Sequence, residues 1–235
     1  MGIPVITCKC AVCLSDNPKN KRLRPSALLS IGEKRFLFDA GPDLRYQLLR
    51  YGIEDLDALL LTHVHFDHIA GLDDLRVFYF FRKKKIPCLL SQNSLQFIEE
   101  KYPHLDYFQY TLCEGDFGKV SFGGLDWECL SFSQNGAKVT GFRLGKFAYV
   151  LDIKKYTEQV FEALKGVETL VLSGLRPMPS PSHLSLPQAT AFAQKVGAKM
   201  TWISHIAHEL DHDEANASLP SMIQLAYDGL EVEIF

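Results

Sequence analysis

Residues 59–68 read Leu-Leu-Leu-Thr-His-Val-His-Phe-Asp-His, an apolar run followed at once by three histidines and an aspartate. The apolar run predicts a buried strand. In an extended segment His63 and His65 point the same way, because side-chain direction repeats every two residues. Asp67 and His68 diverge from that pair if a helix begins there. Imidazole and carboxylate groups hold zinc, manganese or iron and leave a coordination position open. The motif therefore predicts a site for one ion, or for two adjacent ions, at a strand end.

Short β-rich runs and helical patterns alternate on both sides of this motif, bounded by Gly, Pro and Asp. Predicted strands are Ile3–Thr7, Ala27–Ile31, Phe36–Phe38, Ala58–Leu61, Cys88–Leu90, Leu125–Leu130, Val139–Leu144, Phe147–Leu151, Thr169–Leu172, Thr201–Ser204 and Leu230–Phe235. Predicted helices run from Pro42 to Arg50, from near Asp67 through Phe81, and over Ser91–Lys101, Thr157–Leu164, a segment starting at Ser185, and Glu214–Ala226. Two series of strands interleaved with helices predict an α/β fold with sheets packed together and helices outside. The length fits one large domain or two fused halves, and we expect a single domain over residues 1–235.

The composition is that of an ordinary globular chain. It has 235 residues, 47% of them hydrophobic and 23% charged, with a net charge of −3, so nothing in the balance demands a nucleic-acid or membrane partner. The basic run of residues 82–85 is interpreted as a solvated loop. No apolar run reaches the roughly 18–20 residues of a membrane span, and no signal peptide is recognisable. We expect a cytoplasmic protein with reduced thiols.

Three cysteines near the N-terminus, Cys8, Cys10 and Cys13, form a C-x-C-x-x-C pattern. Such closely spaced thiolates suit a structural zinc, which takes four protein ligands. His208 is the best candidate for the fourth ligand. The remaining three cysteines are isolated in the sequence and are interpreted as packing residues: Cys88, Cys113 and Cys129.

The His-x-His-x-Asp-His pattern resembles the motif of the metallo-β-lactamase superfamily. That resemblance implies a four-layer αββα sandwich with metal ions at one edge of the paired sheets. It also implies that Asp152 is an aspartate bridging two ions and that His205 is the last histidine ligand. The implied metal ligands are His63 and His65 for one ion, Asp67, His68 and His205 for the other, and Asp152 for both.

One position departs from the family pattern. The family has a further histidine, followed by glycine, between the motif and the bridging aspartate, and the matching segment, residues 132–136, contains none. Gln134 or Asn135 offers only an amide oxygen, a weaker ligand than imidazole for a borderline metal. We therefore expect the ion at Asp67, His68, Asp152 and His205 to bind first, and the His63/His65 site to be weak or empty.

The N-terminal cysteines, Arg24-Pro25-Ser26 and His205-Ile206-Ala207-His208 make the chain similar to the carbon–phosphorus lyase accessory phosphodiesterases. This implies Zn²⁺ or Mn²⁺ at the active site, one or two ions, besides a structural Zn²⁺ held by three cysteines and a histidine. The implied substrate is a small or cyclic phosphodiester, attacked by a metal-bound hydroxide near Asp67 and Asp152. His183 matches a histidine near the substrate phosphate and is expected to act as a general acid. Relatives carry a glycine-rich turn before the segment matching Gly2-Ile3-Pro4, so the assigned start is expected to be short.

Other functions stay open at this stage. A transfer-RNA 3′-end-processing endonuclease uses a similar motif, but such enzymes grip RNA with an additional arm and basic surface, so nucleic acid ranks below a small phosphorylated substrate. A non-hydrolytic accessory role is the third reading, since the pyrroloquinoline quinone biosynthesis B protein is similar in architecture and has an altered active site. Thioester or lactone hydrolysis also stays open, because the motif specifies a metal and not a substrate. A homodimer is compatible with the sequence, and no membrane partner is expected.

Overall fold

The structure, a computed structural model, describes residues 2–234. Within that range the chain forms helices and two β-sheets. The α-helices are α1 (Ala11–Leu14), α2 (Leu44–Arg50), α3 (Phe66–Ile69), α4 (Arg76–Arg82), α5 (Gln92–Lys101), α6 (Gln159–Ala163), α7 (Leu186–Val196) and α8 (His212–Ser218). Short 3₁₀ turns cover Pro18–Asn20 and Leu72–Leu75.

The first sheet has five strands in the order β1-β2-β3-β4-β5. They are β1 (Ala27–Ile31), β2 (Lys34–Phe38), β3 (Ala58–Leu60), β4 (Ile86–Leu90) and β5 (Phe108–Leu112). β1 and β2 pair antiparallel, and β2 to β5 pair parallel. Parallel strands are buried on both faces, which explains why Leu59, Leu60 and Leu61 each have no exposed surface. Burial of each such side chain contributes roughly 2 kcal/mol before entropy is counted.

The second sheet has seven strands in the order β12-β11-β10-β9-β8-β7-β6. They are β6 (Phe117–Phe122), β7 (Leu125–Gln134), β8 (Ala137–Leu144), β9 (Phe147–Val150), β10 (Thr169–Ser173), β11 (Met200–Ser204) and β12 (Ile223–Leu225). β9 to β12 pair parallel, and β8 pairs antiparallel with β9. The predicted α/β class with two sheets is confirmed.

Two compact units are distinguished within the described residues. One comprises Arg24–Cys129, and the other takes the residues up to Leu23 together with those from Leu130 onward. In the first unit Trp127 is fully buried, and its ring lies 5.6 Å from Phe36 and 6.0 Å from Phe38, centroid to centroid. Its indole N–H donates to the Phe122 carbonyl at 3.1 Å, so the one polar atom of this core residue is satisfied.

Several predicted element bounds are wrong. Residues 5–7 form no strand, since only Ile3 pairs, with Arg22. The helix predicted from Asp67 through Phe81 is interrupted at Gly71. The helix predicted over Glu214–Ala226 covers His212–Ser218 only, because Pro220 and the paired strand β12 follow it. The predicted closing strand is absent over residues 230–234, and Phe235 lies outside the described residues.

The interpretation of all three remaining cysteines as isolated packing residues is also wrong in part. Cys113 and Cys129 form a disulfide, whereas Cys88 is a buried thiol in β4. Sequence spacing does not reveal such a bond, because the two residues are brought together by the fold. Burial raises the pKa of the Cys88 thiol, so this group stays protonated.

None of the helices in residues 2–234 combines the length and the hydropathy that crossing a bilayer would need.

Candidate active site

The histidine-rich motif lies directly beyond β3, in the unit Arg24–Cys129. His63 Nε2 and His65 Nδ1 are 2.9 Å apart, and the rings of His63 and His68 lie 4.2 Å apart between centroids. Helix α3 begins at Phe66, with His65 as its N-cap residue, so Asp67 and His68 leave the extended geometry of the first pair as predicted. His63 and His68 are buried, and His65 and Asp67 are half-buried. The three imidazoles thus form one cluster within this unit.

Asp39 supports this cluster and was missed from the sequence. It follows β2, is fully buried, and receives hydrogen bonds from Thr62 N at 2.8 Å and from Thr62 Oγ1 at 2.9 Å. His68 Nδ1 lies 2.8 Å from Asp39 Oδ2. A carboxylate that accepts from one ring nitrogen places the imidazole lone pair on the other, which is how metal-binding histidines are oriented. This contact leaves Nε2 as the His68 nitrogen that could bind a metal. A single aspartate after a strand resembles any turn residue, so the sequence alone does not single out Asp39.

Gly41 allows the chain after β2 to pass close to the motif. A Cβ atom built at this position would lie 2.2 Å from the carbonyl oxygen of Asp67, a distance that no side chain tolerates. The backbone N–H of Ala40 donates to His68 O at 2.7 Å in the same region. The glycine thus permits the backbone hydrogen bond that fixes helix α3 against the β2 end.

Two further predicted ligands lie in the other unit, at the carboxyl ends of parallel strands. Asp152 follows β9 and His205 follows β11, while β10 lies between these strands and ends at Ser173. His205 Nε2 is 3.4 Å from Asp152 Oδ1, and Ser173 Oγ accepts a hydrogen bond from Asp152 N at 2.9 Å. Because parallel strands end at the same sheet edge, side chains 53 positions apart in sequence meet there.

Both of these residues have left-handed backbone conformations. The φ angle is 58° at Asp152 and 55° at His205. Non-glycine residues adopt this region rarely, at a cost of about 1–3 kcal/mol each, and such strain concentrates at functional sites. Asp39 shows the same feature, with φ of 58°. At Asp39, Asp152 and His205 this conformation therefore directs a carboxylate or an imidazole into the clusters described here.

His183 joins the Asp152–His205 pair from the loop between β10 and α7. Its Nδ1 lies 3.7 Å from Asp152 Oδ1, and its ring stacks on His205 at 5.0 Å between centroids. The candidate ligand atoms of these three residues all lie within 4.8 Å of one another. Their donor set fits a divalent cation: one carboxylate and two imidazoles. Gln134, at the end of β7, contacts the same group.

The predicted thiol site is also assembled, wholly within this unit. His208 Nδ1 lies 3.2 Å from Cys8 Sγ, 3.5 Å from Cys10 Sγ and 3.6 Å from Cys13 Sγ. Ligand atoms around a tetrahedral zinc, at about 2.3 Å for sulfur and 2.0–2.1 Å for nitrogen, are about 3.5 Å apart. The hydrogen bond from the backbone N–H of Cys13 has the largest effect on the pKa of Cys10 and lowers it. Burial acts in the opposite direction, and contacts with the neighbouring thiols and His208 lower the pKa further, to about 6. The four side chains are thus arranged as a closed zinc site requires.

Arg22 fastens this thiol-bearing segment to the chain around His208. Its guanidinium donates to the carbonyls of Ala207 at 3.0 Å and Leu210 at 2.8 Å and to Asn20 Oδ1 at 2.9 Å, and it is 5% exposed. Burial lowers the pKa of Arg22, an effect opposed by Asp211 and Asp228.

We expect Arg22→Met to destabilise the protein by about 3 kcal/mol, because these buried acceptors lose a charged donor. In a chain of this size that corresponds to a decrease in Tm of roughly 6–12 °C. Thermal unfolding followed by circular dichroism measures it. The exposed Arg45 supplies the matched control, and equal Tm values for Arg22→Met and Arg45→Met would contradict the assignment.

Comparison with known proteins places these clusters in a family. The model of the β-lactamase superfamily domain matches residues 34–206, and the chain belongs to the metallo-β-lactamase superfamily. Within that superfamily it resembles the PhnP group: a solved structure described as a new diphosphatase from the PhnP family is 35% identical, with a TM-score of 0.92, over 98% of this chain and 91% of that one. The resemblance to this hydrolase group and the metallo-β-lactamase fold are thereby confirmed.

A curated relative and two more distant structures complete the comparison. An octanoyltransferase of Porphyromonas gingivalis is 34% identical over 99% of this chain and 49% of its own length, so the chain spans about half of that relative. Zinc-bound PqqB from Methylobacterium extorquens covers 99% of this chain and 96% of that one, with a TM-score of 0.78 and 18% identity. The human short-form tRNase Z covers 90% and 92%, with a TM-score of 0.68 and 15% identity. These last two share the fold.

Proposed function

We propose that this protein is a metal-dependent hydrolase of small or cyclic phosphodiesters. The observation that carries the proposal is the 35% identity to a PhnP-family diphosphatase over nearly the whole of both chains. It is supported by the two clusters of imidazole and carboxylate groups, which have the composition of sites that hold catalytic Zn²⁺ or Mn²⁺. The proposed ligands are His63, His65, Asp67, His68, Asp152 and His205, as the family motif assigns them.

A divalent ion held at such ligands would lower the pKa of a bound water and polarise a phosphoryl oxygen. The residues of the chain hold and orient the reacting groups. Asp67, half-buried at the start of α3, and the buried Asp152 are proposed to accept hydrogen bonds from the attacking water. Asp39 holds His68 through Nδ1, which would leave Nε2 to bind the ion.

His183 is proposed to protonate the leaving oxygen. Its side chain retains 14% exposure, so it can reach both the buried Asp152 carboxylate and an entering substrate. We expect His183→Ala to lower kcat by about 10²–10⁴-fold, the usual contribution of general acid catalysis, and to leave the bound metal unchanged. Steady-state kinetics with metal analysis of the same samples measures both quantities. Loss of bound metal in His183→Ala would instead make this residue a ligand.

Turnover of bis(p-nitrophenyl) phosphate by the Mn²⁺- or Zn²⁺-loaded protein tests the proposed activity. The panel includes 2′,3′-cyclic nucleotides and, because the most informative structural relative is described as a diphosphatase, compounds with a P–O–P linkage. Hydrolysis of any phosphodiester above the metal-only blank supports the proposal. Inactivity on the whole panel after verified metal loading would reject it.

Other functions are separated by the same samples. The panel also includes an acyl thioester, because the chain is similar to about half of an octanoyltransferase. An endonuclease would show salt-sensitive competition by RNA. The absence of the family's histidine near Gln134 is the reason to consider an accessory role. A protein with such a role would bind metal without turnover of any compound. We propose that the protein acts without a membrane partner. Light scattering would detect a homodimer. We propose a cytoplasmic location.

A further inference from the structure

Gln134 occupies the segment in which the family has its missing histidine. It is the last residue of β7 and is fully buried. The adjacent Asn135 is exposed in the turn to β8, with φ of 48°. Of the two amides that the sequence offers, only Gln134 is therefore inside the molecule.

The Gln134 amide lies against Asp152 and His183, two residues of its own unit. Its Nε2 is 3.3 Å from Asp152 Oδ2, 3.1 Å from His183 Nδ1 and 3.2 Å from His183 Nε2. Its Oε1 is buried and has no hydrogen-bond partner among residues 2–234. A buried carbonyl oxygen normally finds a donor or a cation, so the side chains of residues 2–234 do not satisfy the amide in this orientation.

The distance of 3.3 Å between the Gln134 amide and Asp152 Oδ2 is that of two ligand atoms sharing one ion. Ligand atoms at about 2.0–2.1 Å from a tetrahedral ion lie about 3.3–3.4 Å apart. Oxygen and nitrogen of a side-chain amide exchange places by a half-turn, and the choice between them follows from the hydrogen-bond network. After that half-turn the oxygen takes the position 3.3 Å from the Asp152 carboxylate.

We propose that Gln134 supplies an amide-oxygen ligand to an ion bound by Asp152, in the place of the family's additional histidine. The inference rests on the proposed metal-dependent function. Carbonyl oxygen suits Mn²⁺ and Mg²⁺, whereas imidazole suits Zn²⁺. The substitution therefore makes this site weak for Zn²⁺ and shifts its selectivity towards Mn²⁺, while the other ion remains the tighter one.

The experiment measures metal binding to the full chain without substrate. Protein stripped by a chelator and reloaded at the thiol site is titrated with Mn²⁺, followed by the free-ion electron paramagnetic resonance signal, and with Zn²⁺, followed by calorimetry. We expect Gln134→Leu to weaken the weaker Mn²⁺ site by about 10-fold or more. Asn135→Ala, the matched neighbouring amide, should stay within about twofold of wild type.

Two further variants keep the test decisive if Gln134→Leu folds poorly. Gln134→Glu retains an oxygen ligand and should bind Mn²⁺ at least as tightly as wild type. Gln134→His should tighten the weaker Zn²⁺ site by about 10-fold and, in the Mn²⁺-loaded protein, add one imidazole nitrogen coupling to the electron spin-echo modulation. Thermal unfolding of each variant checks the fold.

The outcomes separate this inference from the proposed function. Wild-type affinities in Gln134→Leu, or no added nitrogen coupling in Gln134→His, would overturn the Gln134 assignment while leaving the tighter ion in place. A wild-type protein that binds no ion beyond the thiol site would reject the proposed function as well.

Discussion

The His68→Ala variant is expected to lose about 10³-fold or more in kcat/KM, equivalent to about 4 kcal/mol of transition-state stabilisation. Loss of a residue that only orients a ligand costs 10–100-fold, and loss of the ligand itself should cost more. The fold should persist, because Asp39 keeps its hydrogen bonds from Thr62 N and Oγ1 when the imidazole is removed. Steady-state kinetics and circular dichroism on the same sample measure the two effects.

His104→Ala is the matched control for His68→Ala. His104 is an exposed histidine of the same unit whose Nε2 lies 3.2 Å from Asp73 Oδ2. We expect its kcat/KM to remain within about twofold of wild type, as surface substitutions usually do. An active His68→Ala protein, or a comparable loss in His104→Ala, would remove the motif from the proposed mechanism.

The Cys10→Ser variant is expected to show the opposite division of effects. The Tm of this variant should fall by about 6 °C or more and should no longer change when a chelator is added. Activity should remain measurable at 20 °C. Binding of a structural metal is coupled to folding, so removing one of four ligands lowers the free energy of unfolding. A serine hydroxyl is a poorer zinc ligand than a thiolate, so it should not restore the site that Cys8, Cys13 and His208 would share with it.

Thermal unfolding with and without a chelator measures this prediction. Cys88→Ala is the control, since Cys88 is a buried thiol of β4 that does not belong to the thiol site, and melting of this variant should remain chelator-sensitive. Equal decreases of Tm in Cys10→Ser and His68→Ala would show that the two proposed sites do not divide into a structural and a catalytic role.

The sequence singled out the histidine-rich motif because it follows an apolar run. His63 comes two residues after Leu61, whereas Asp152 and His205 were assigned through the family resemblance, since one polar residue after a strand is not distinctive by itself. The thiol cluster was found through its short spacing. The histidine-rich motif and the thiol cluster can both be recognised before the fold is known, because each consists of residues close together in the sequence.

The features that sequence reasoning missed depend on contacts between distant residues. Asp39 gains its role only when β2 pairs with β3 and brings it to Thr62 and His68. The Cys113–Cys129 disulfide joins segments 16 residues apart with no spacing signature. Element bounds near the C-terminus were wrong for a related reason, since β12 exists through pairing with β11 rather than through any strong pattern of its own.

The thiol cluster and His208 are separated by 195–200 residues of chain. During synthesis the three cysteines leave the ribosome long before the histidine is made. At about 5–20 residues per second the interval is roughly 10–40 s. Throughout that time the three cysteines lack the histidine that completes the proposed site, and their thiols are exposed to competing metals and oxidants. The proposed zinc site can therefore close only after most of the chain has been made.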